Sequence, residues 1–520
     1  MDIPAPDTNT TSASPHHAQC YRALTARDAR FDGVFFTGVS STGIYCRPVC
    51  PARTPRASSC TFFSSAAAAE QAGYRPCLRC RPELAPYALQ QNLAYAVWQR
   101  IAAGALNHCD DGSALEQLAV TVGLSSRQLR RVLVQHFGVT PVELAQTQRL
   151  LFAKKLLQET ALPMTEIAHA AGFGSVRRFN ALFAARYGLA PGSMRRAAAD
   201  DRRGSDALIL RLAYRPPLAW DALLRYLSGR GMPGLEAVHE NAYLRSVRID
   251  GVSGWLRVTH SPLKNQLQLD IAPALAPQLM PLLARVRAQF DLDANPTVID
   301  QHLQQDALLA AQIRRVPGLR VPGTFDAFEL AVRAVLGQQI SVAGATTLSG
   351  RLVARFGAQA ETPFAQVTHH FPEAGLLAAT AVDDIAALGM PRSRAETIRA
   401  IALFADQGGL AMRPGLSLAS AVAHLRGVRG IGEWTAQYIA LRALRFPDAF
   451  PAGDLGLQKA AADGLSETTR LSEKTLLVRA AGWAPWRGYA ALLLWHSLQK
   501  SDSAAITPSI HDEPSQKDQV

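Results

Sequence analysis

Four cysteines constrain this chain more than any other residues. Cys46-Arg-Pro-Val-Cys50 and Cys77-Leu-Arg-Cys80 form a C-x3-C and a C-x2-C pair separated by twenty-six residues, a spacing that suits a tetrahedral zinc site with four cysteine ligands. Coordination removes the thiol protons, so four thiolates around one Zn²⁺ carry two net negative charges in formal terms. Such a cluster is either a structural staple or a sulfur nucleophile, and spacing alone leaves both open. All seven cysteines precede residue 110, which sets a compact unit over 18–88 apart from the rest of the chain. Cys20 and Cys60 fall outside the ligand spacing and Cys109 beyond the unit, so these three read as ordinary thiols.

A chain of 520 residues is too long for one hydrophobic core and predicts three or four domains. Its 54 Lys+Arg against 42 Asp+Glu give +12, which favours a polyanionic partner, nucleic acid before an anionic membrane. Positions 1–205 hold 23 basic and 14 acidic residues, so the N-terminal part is the stronger electrostatic binder. Residues 1–17 lack a basic start and an apolar core and read as a disordered leader. No apolar stretch reaches membrane-spanning length, and a cytoplasmic location with reduced thiols is the expectation.

From 89 to 197 apolar residues recur at helical spacing, with breaks at Gly123, Gly138, Gly172 and Gly188 that divide two similar halves. In the first, Leu115-Glu-Gln-Leu-Ala119 leads through Gly123-Leu-Ser-Ser to Arg127-Gln-Leu-Arg-Arg-Val-Leu133. In the second, Met164-Thr-Glu-Ile-Ala168 leads through Ala171-Gly-Phe-Gly174 to Ser175-Val-Arg-Arg-Phe-Asn180, and both close on Phe/Tyr-Gly-x-x-Pro. Each half reads as a helix-turn-helix, whose second helix suits a major groove. Arg127, Arg130, Arg177, Arg178 and Asn180 are the candidate DNA contacts. A polar linker over 198–206 precedes a strand-rich α+β segment, 207–319, with alternating runs such as Leu267-Gln-Leu-Asp-Ile271. Amphipathic helices occupy 320–500, and 501–520 read as a disordered tail.

Within the last helical domain, Leu425-Arg-Gly-Val-Arg-Gly-Ile-Gly-Glu-Trp-Thr-Ala436 has the pattern of a helix-hairpin-helix. Its Gly430-Ile431-Gly432 turn would aim backbone N–H groups at a DNA phosphate. About twenty residues on, Phe450-Pro-Ala-Gly-Asp454 ends a Pro/Gly loop in an acid, the layout of the helix-hairpin-helix glycosylase superfamily. Asp454 is the candidate catalytic carboxylate, placed to stabilise an oxocarbenium-like sugar.

Three resemblances sharpen these readings. The runs Arg27-Asp-Ala-Arg-Phe-Asp-Gly33, Thr42-Gly-Ile-Tyr-Cys-Arg-Pro-Val-Cys50 and Gly73-Tyr-Arg-Pro-Cys-Leu-Arg-Cys-Arg-Pro82 resemble the N-terminal domain of the Ada adaptive-response regulators. That resemblance implies that Cys46 irreversibly takes a methyl group from a DNA methyl phosphotriester. Methylation would remove one negative charge and tighten DNA binding, with Arg47, Arg75, Arg79 and Arg81 as candidate phosphate partners. The stretch Gly172-Phe-Gly-Ser-Val-Arg-Arg-Phe-Asn180 with Tyr187-Gly-Leu-Ala-Pro191 is similar to the AraC/XylS DNA-binding domain, implying an activator that works with RNA polymerase. The C-terminal half resembles 3-methyladenine DNA glycosylase II of the AlkA type, carried by Phe325-Asp-Ala-Phe-Glu329, Ala334-Val-Leu-Gly-Gln-Gln-Ile-Ser341, Trp483-Ala-Pro-Trp-Arg-Gly-Tyr-Ala490 and Leu494-Trp495. It implies that Trp434 and Trp495 line the base pocket and that Gln338 or Gln339 fills the gap left by a flipped nucleotide. Leucine holds the position of Gln339 in that family, and Arg429 replaces a proline, so the plug departs from the pattern.

The expected architecture is multi-domain α+β: an Ada-type zinc unit, an all-α double helix-turn-helix domain, a strand-rich AlkA N-terminal-like domain and an all-α helix-hairpin-helix glycosylase domain. The expected function is DNA alkylation repair joined to transcriptional activation, by a monomer acting on double-stranded DNA that carries alkylated bases and methyl phosphotriesters. One zinc ion is expected. No lysine stands in the hairpin for a Schiff base, which implies base removal without strand cleavage. No cysteine comes after Asp454, which argues against an iron–sulfur cluster, and no Pro-Cys-His-Arg segment argues for O6-methylguanine reversal. The competing reading is a non-enzymatic multi-domain transcriptional activator that keeps both folds for DNA recognition alone.

Overall fold

The computed structural model describes residues 15–86, 93–108, 113–195, 207–411, 416–462 and 470–498. Cys109, the 198–206 linker and the 501–520 tail lie outside the described residues, as does the leader up to residue 14. The remainder of the expected leader is ordered, because Pro15–Thr25 is a helix of the zinc unit. His17 is buried there, bonded to the Cys60 carbonyl at 3.1 Å and edge-on to the Phe62 ring.

The zinc unit is built on β1 (Phe36–Val39), β2 (Ile44–Cys46), β3 (Cys60–Phe63) and β4 (Arg75–Pro76), in the order β3-β1-β2-β4. The parallel β2–β4 pairing sets Tyr45 opposite Pro76. Cys46 and Cys77, each one residue further on, therefore leave the sheet side by side.

The duplication is plain in the helices. Ser126–Phe137 starts on Ser125, whose hydroxyl and Gln128 form a reciprocal cap, and ends on Gly138. Val176–Tyr187 starts on Ser175 and ends on Gly188. Both glycines sit at positive φ, 72° and 68°, where a Cβ is strained. Leu129, Leu133 and Phe137 are buried in one copy and Phe179, Phe183 and Tyr187 in the other, the same one-face spacing. The 19-residue helix Pro141–Glu159 joins the two halves.

A second, antiparallel sheet comes next: β5 (Leu208–Ala213), β6 (Glu236–His239), β7 (Ala242–Ile249), β8 (Val252–Ser261) and β9 (Gln266–Ile271), ordered β5-β9-β8-β7-β6. Its core is continuous with that of the second helix-turn-helix copy: Phe173, Phe179 and Tyr187 belong to one buried cluster with Leu210, Leu269, Leu275 and Phe290. The first copy keeps a core of its own around Leu129, Leu133 and Phe137. The helices Pro296–Leu303 and Ala307–Arg315 precede residue 320 yet bury Ile299, Leu303, Leu309 and Ile313 in the C-terminal helical core. No helix among the described residues is long and apolar enough to cross a membrane.

Candidate active site and metal centre

The metal centre is assembled from two turns at one end of the first sheet. The Sγ atoms of Cys46, Cys50, Cys77 and Cys80 lie within 4.8 Å of one another. A Zn–S bond of about 2.3 Å needs sulfur pairs roughly 3.8 Å apart, so the four fit a tetrahedral ion with little movement. As bare thiols they share protons unevenly: the hydrogen bond with Cys50 pushes Cys46 up, and the one with Cys46 brings Cys77 down. A dication that replaces the protons removes this opposition. The backbone N–H of Arg47 already points at the Cys80 sulfur, at 3.4 Å. Cys50, Cys77 and Cys80 are each 7% exposed, whereas Cys46 is half-buried. Cys20 and Cys60 are buried apart from the cluster, and burial pushes their thiols up to about 12 and about 11.

Of the four arginines expected at phosphates, two are otherwise engaged. Arg47 is half-buried, paired with Asp32, and donates to the Cys80 carbonyl at 3.1 Å. Arg81 pairs with Glu83 and Glu159. Arg75 and Arg79 are exposed. In the helix-turn-helix copies, Arg127, Arg130, Arg177, Arg178 and Asn180 are all exposed on the face opposite the buried apolar residues.

The second site is a cleft of about 930 Å³ in the C-terminal half. Asp454 stands in its wall as the N-cap of the helix Leu455–Ala460, accepting from the Leu457 N–H at 3.0 Å. The indole N–H of Trp434 donates to its Oδ2 and that of Trp495 to its Oδ1, both at 3.0 Å. Three donors thus orient one carboxyl group, and charge-assisted bonds of this kind hold it in place. The two tryptophans expected to line a base pocket both border this cleft and turn their N–H groups to the acid.

Trp434 stacks on Tyr438 with centroids 5.3 Å apart and planes 11° from parallel, and Tyr438 meets Trp495 edge-on at 6.1 Å. The Tyr438 hydroxyl accepts from Arg442 at 2.7 Å and contacts the Tyr226 hydroxyl at 3.3 Å. Burial raises the Tyr438 proton affinity, but the Arg442 and Arg230 charges and these hydrogen bonds outweigh it and bring Tyr438 down to about 8. Burial and the neighbouring Tyr438 push Tyr226 up to about 12. Tyr226 and Arg230 come from the helix Trp220–Arg230 of the strand-rich domain, which closes one side of the cleft.

The hairpin Gly430-Ile431-Gly432 borders the same cleft. Gly430 has φ +85°, and a Cβ there would lie 2.0 Å from Thr397 Oγ1. Gly432 caps the helix Glu433–Arg442 with no side-chain bond, leaving its first N–H groups turned outward. Gln338 donates to the Gly430 carbonyl at 3.1 Å and to Thr435 Oγ1 at 3.0 Å, bracing the hairpin. Gln339, past the end of the helix Ala327–Leu336, is exposed at φ +56°, a strained setting for a residue other than glycine.

Four family models match the chain in succession: the metal binding domain of Ada over 19–83, a helix-turn-helix domain over 118–197, the AlkA N-terminal domain over 209–326, and the HhH-GPD superfamily of base excision DNA repair proteins over 332–486. One relative spans nearly all of it. A probable bifunctional transcriptional activator/DNA repair enzyme AlkA from Mycobacterium tuberculosis is 38% identical over 488 residues, 92% of this chain and 96% of that one. The chain belongs to this bifunctional activator/DNA repair family. Shorter relatives divide the family's two halves between them. DNA-3-methyladenine glycosylase 2 of Escherichia coli is 33% identical over 55% of this chain and 96% of its own length. The bifunctional transcriptional activator/DNA repair enzyme Ada of Escherichia coli is 34% identical over 29% of this chain and 42% of its own. Within this family architecture, Tyr438 was open to discovery from sequence, since it lies one helical turn past Trp434. So was Arg442, a further turn along the same helix; Tyr226 and Arg230 were not, because only the packing of two domains brings them to the cleft.

Proposed function

We propose that this family member is a monofunctional DNA glycosylase for 3-methyladenine and related alkylated bases, and that it also takes methyl groups stoichiometrically from DNA methyl phosphotriesters at Cys46. The observation that carries the glycosylase reading is Asp454 held between the indoles of Trp434 and Trp495 in a cleft bordered by the hairpin. The hairpin N–H groups grip one phosphate of the strand. Gln339 supports the wedge role better than Gln338, whose amide is engaged with the hairpin. A flipped cationic purine enters among Trp434, Tyr438 and Trp495, whose electron-rich faces attract it. As the N-glycosidic bond breaks, the Asp454 carboxylate stabilises the sugar cation and guides water to C1′, leaving an abasic site. No lysine is among the described residues that line the cleft, which supports cleavage of the base without a Schiff base.

At the other site, the fit of four sulfurs supports a single zinc, which when bound would keep each of them a thiolate. Cys46 is half-buried as a residue where its three companions are buried, and its sulfur attacks the methyl carbon in line with the methyl–oxygen bond. That bond breaks, the phosphodiester leaves as an anion, and the sulfur becomes a neutral thioether. The cluster then repels backbone phosphates less, so DNA binding through the two helix-turn-helix faces tightens and recruits RNA polymerase. A monomer suffices for all of these contacts. Release of 3-methyladenine from alkylated duplex by wild type but not by Asp454→Asn tests the glycosylase reading. Release by neither leaves the non-enzymatic activator in its place, and equal release by both keeps the glycosylase but removes Asp454 from its chemistry.

A further inference from the structure

The turn between β8 and β9, Pro262–Lys264, reaches across to the zinc unit, and the two together wall a concavity of about 480 Å³. Cys80 lines it, with Arg47, Arg79 and Arg81 from the zinc unit and Arg211 and Lys264 from the strand-rich domain. Arg47 and Arg81 are held by carboxylates. Arg79, Arg211 and Lys264 have no carboxylate at ion-pair distance among the described residues, and Arg79 and Lys264 are exposed. Leu263, at the tip of the turn, is 99% exposed.

The two walls are fixed to each other. Arg215 donates to the Asp32 carbonyl, Asn295 Nδ2 to the Arg30 carbonyl at 2.9 Å, and Glu159 takes both Arg81 and the Arg211 backbone N–H, at 2.5 and 2.9 Å. The concavity is therefore preformed rather than a chance gap between loose domains. Its free charge is positive on both sides, it is lined by a metal-site residue, and a thiolate cluster of net negative charge would otherwise repel every phosphodiester that flanks a neutral phosphotriester.

We infer that this concavity is a phosphate-binding site, in which Arg79, Arg211 and Lys264 seat the DNA backbone next to the lesion presented to Cys46. The strand-rich domain thereby holds the DNA for the methyl-transfer site as well as for the glycosylase. This rests on the reading of Cys46 as methyl acceptor. An acidic polypeptide would meet the same cations, but the neighbouring nucleophile acts on DNA phosphates, so a nucleic-acid backbone is the occupant that accounts for both.

The test uses full-length, zinc-loaded protein and a duplex carrying methyl phosphotriesters, comparing wild type with Lys264→Gln and Lys264→Arg. Two quantities are read: the rate at which the Cys46 peptide gains a methyl mass, and the dependence of duplex binding on salt. For Lys264→Gln we expect uptake slowed about threefold or more and a log–log salt slope shallower by about one, the mark of one lost phosphate contact. Lys264→Arg should match wild type in both. Release of 3-methyladenine should be unchanged in all three proteins, which shows that they fold. If Lys264→Gln takes methyl at the wild-type rate with an unaltered salt slope, the inference is overturned, and an acidic protein partner would give that same result. If wild type itself takes no methyl, the Cys46 reading fails, and the salt slope alone decides whether phosphate is bound.

Discussion

Asp454 caps a helix and faces the cleft with the same carboxyl group, and substitution separates the two roles. Asparagine caps helices about as well as aspartate, and its single carbonyl oxygen can still accept from the Leu457 N–H and the Trp495 indole while the Trp434 indole loses its acceptor, so Asp454→Asn should fold with only a modest fall in melting temperature. It cannot offset a sugar cation, and we expect base release to fall about 10²- to 10³-fold, read in single-turnover assays on alkylated duplex. Tyr438 gives the pH signature. Its hydroxyl, brought down to about 8, is neutral below that pH and anionic above it. Excision of a cationic base should therefore gain as pH rises through 8, and the gain should vanish in Tyr438→Phe. Ultraviolet titration should show one tyrosine ionising near 8 in wild type and none there in the variant; identical titrations would refute the assignment. At this scale the sequence was most legible where spacing carries chemistry: the four cysteines, and the acid about twenty residues past the hairpin. It was silent on the indole N–H bonds to Asp454, which depend on how three separate elements converge.

Among the elements, the hairpin gives the clearest contrast. Gly430→Ala would drive a Cβ to 2.0 Å from Thr397 Oγ1 at φ +85°, whereas Gly432→Ala meets nothing within 4 Å. We expect the former to cost about 1–3 kcal/mol in stability and to weaken binding to undamaged duplex, while the latter leaves stability nearly unchanged. Thermal unfolding and fluorescence binding assays measure both, and equal effects would show that the turn is not under this constraint. The helix-turn-helix copies were legible for a related reason: serine cap, apolar stripe and closing glycine are all local signals. The order of His17 in the first helix was not, since it depends on a bond to Cys60 forty-three positions away. The pairing of β2 with β4 likewise needs a parallel register that no short-range pattern announces.

At the scale of the whole molecule, buried cores run across the expected domain boundaries. On either side of the polar linker, the second helix-turn-helix copy and the strand-rich sheet share one buried cluster. Buried charges tie the zinc unit to both: Lys154 to Glu83 at 2.6 Å and Arg81 to Glu159 on the helical side, and Arg215 to the Asp32 carbonyl on the side of the sheet. Such contacts join residues far apart in sequence, so periodicity cannot reveal them. Among the described residues, the cleft itself is lined only by those from 226 onward. Metal removal should consequently abolish methyl uptake and expose the amides of 44–80 to hydrogen exchange, while base release persists; a parallel loss of excision would mean that the zinc unit supports the cleft. The most direct measurement is one incubation of methylated duplex with wild type, Cys46→Ser and Asp454→Asn, tracking protein-bound methyl and released 3-methyladenine together. Wild type should give both, Cys46→Ser released base alone, and Asp454→Asn bound methyl alone. Neither product from wild type, or either product undiminished in the variant meant to lose it, would contradict the assignment of two chemistries to these two residues.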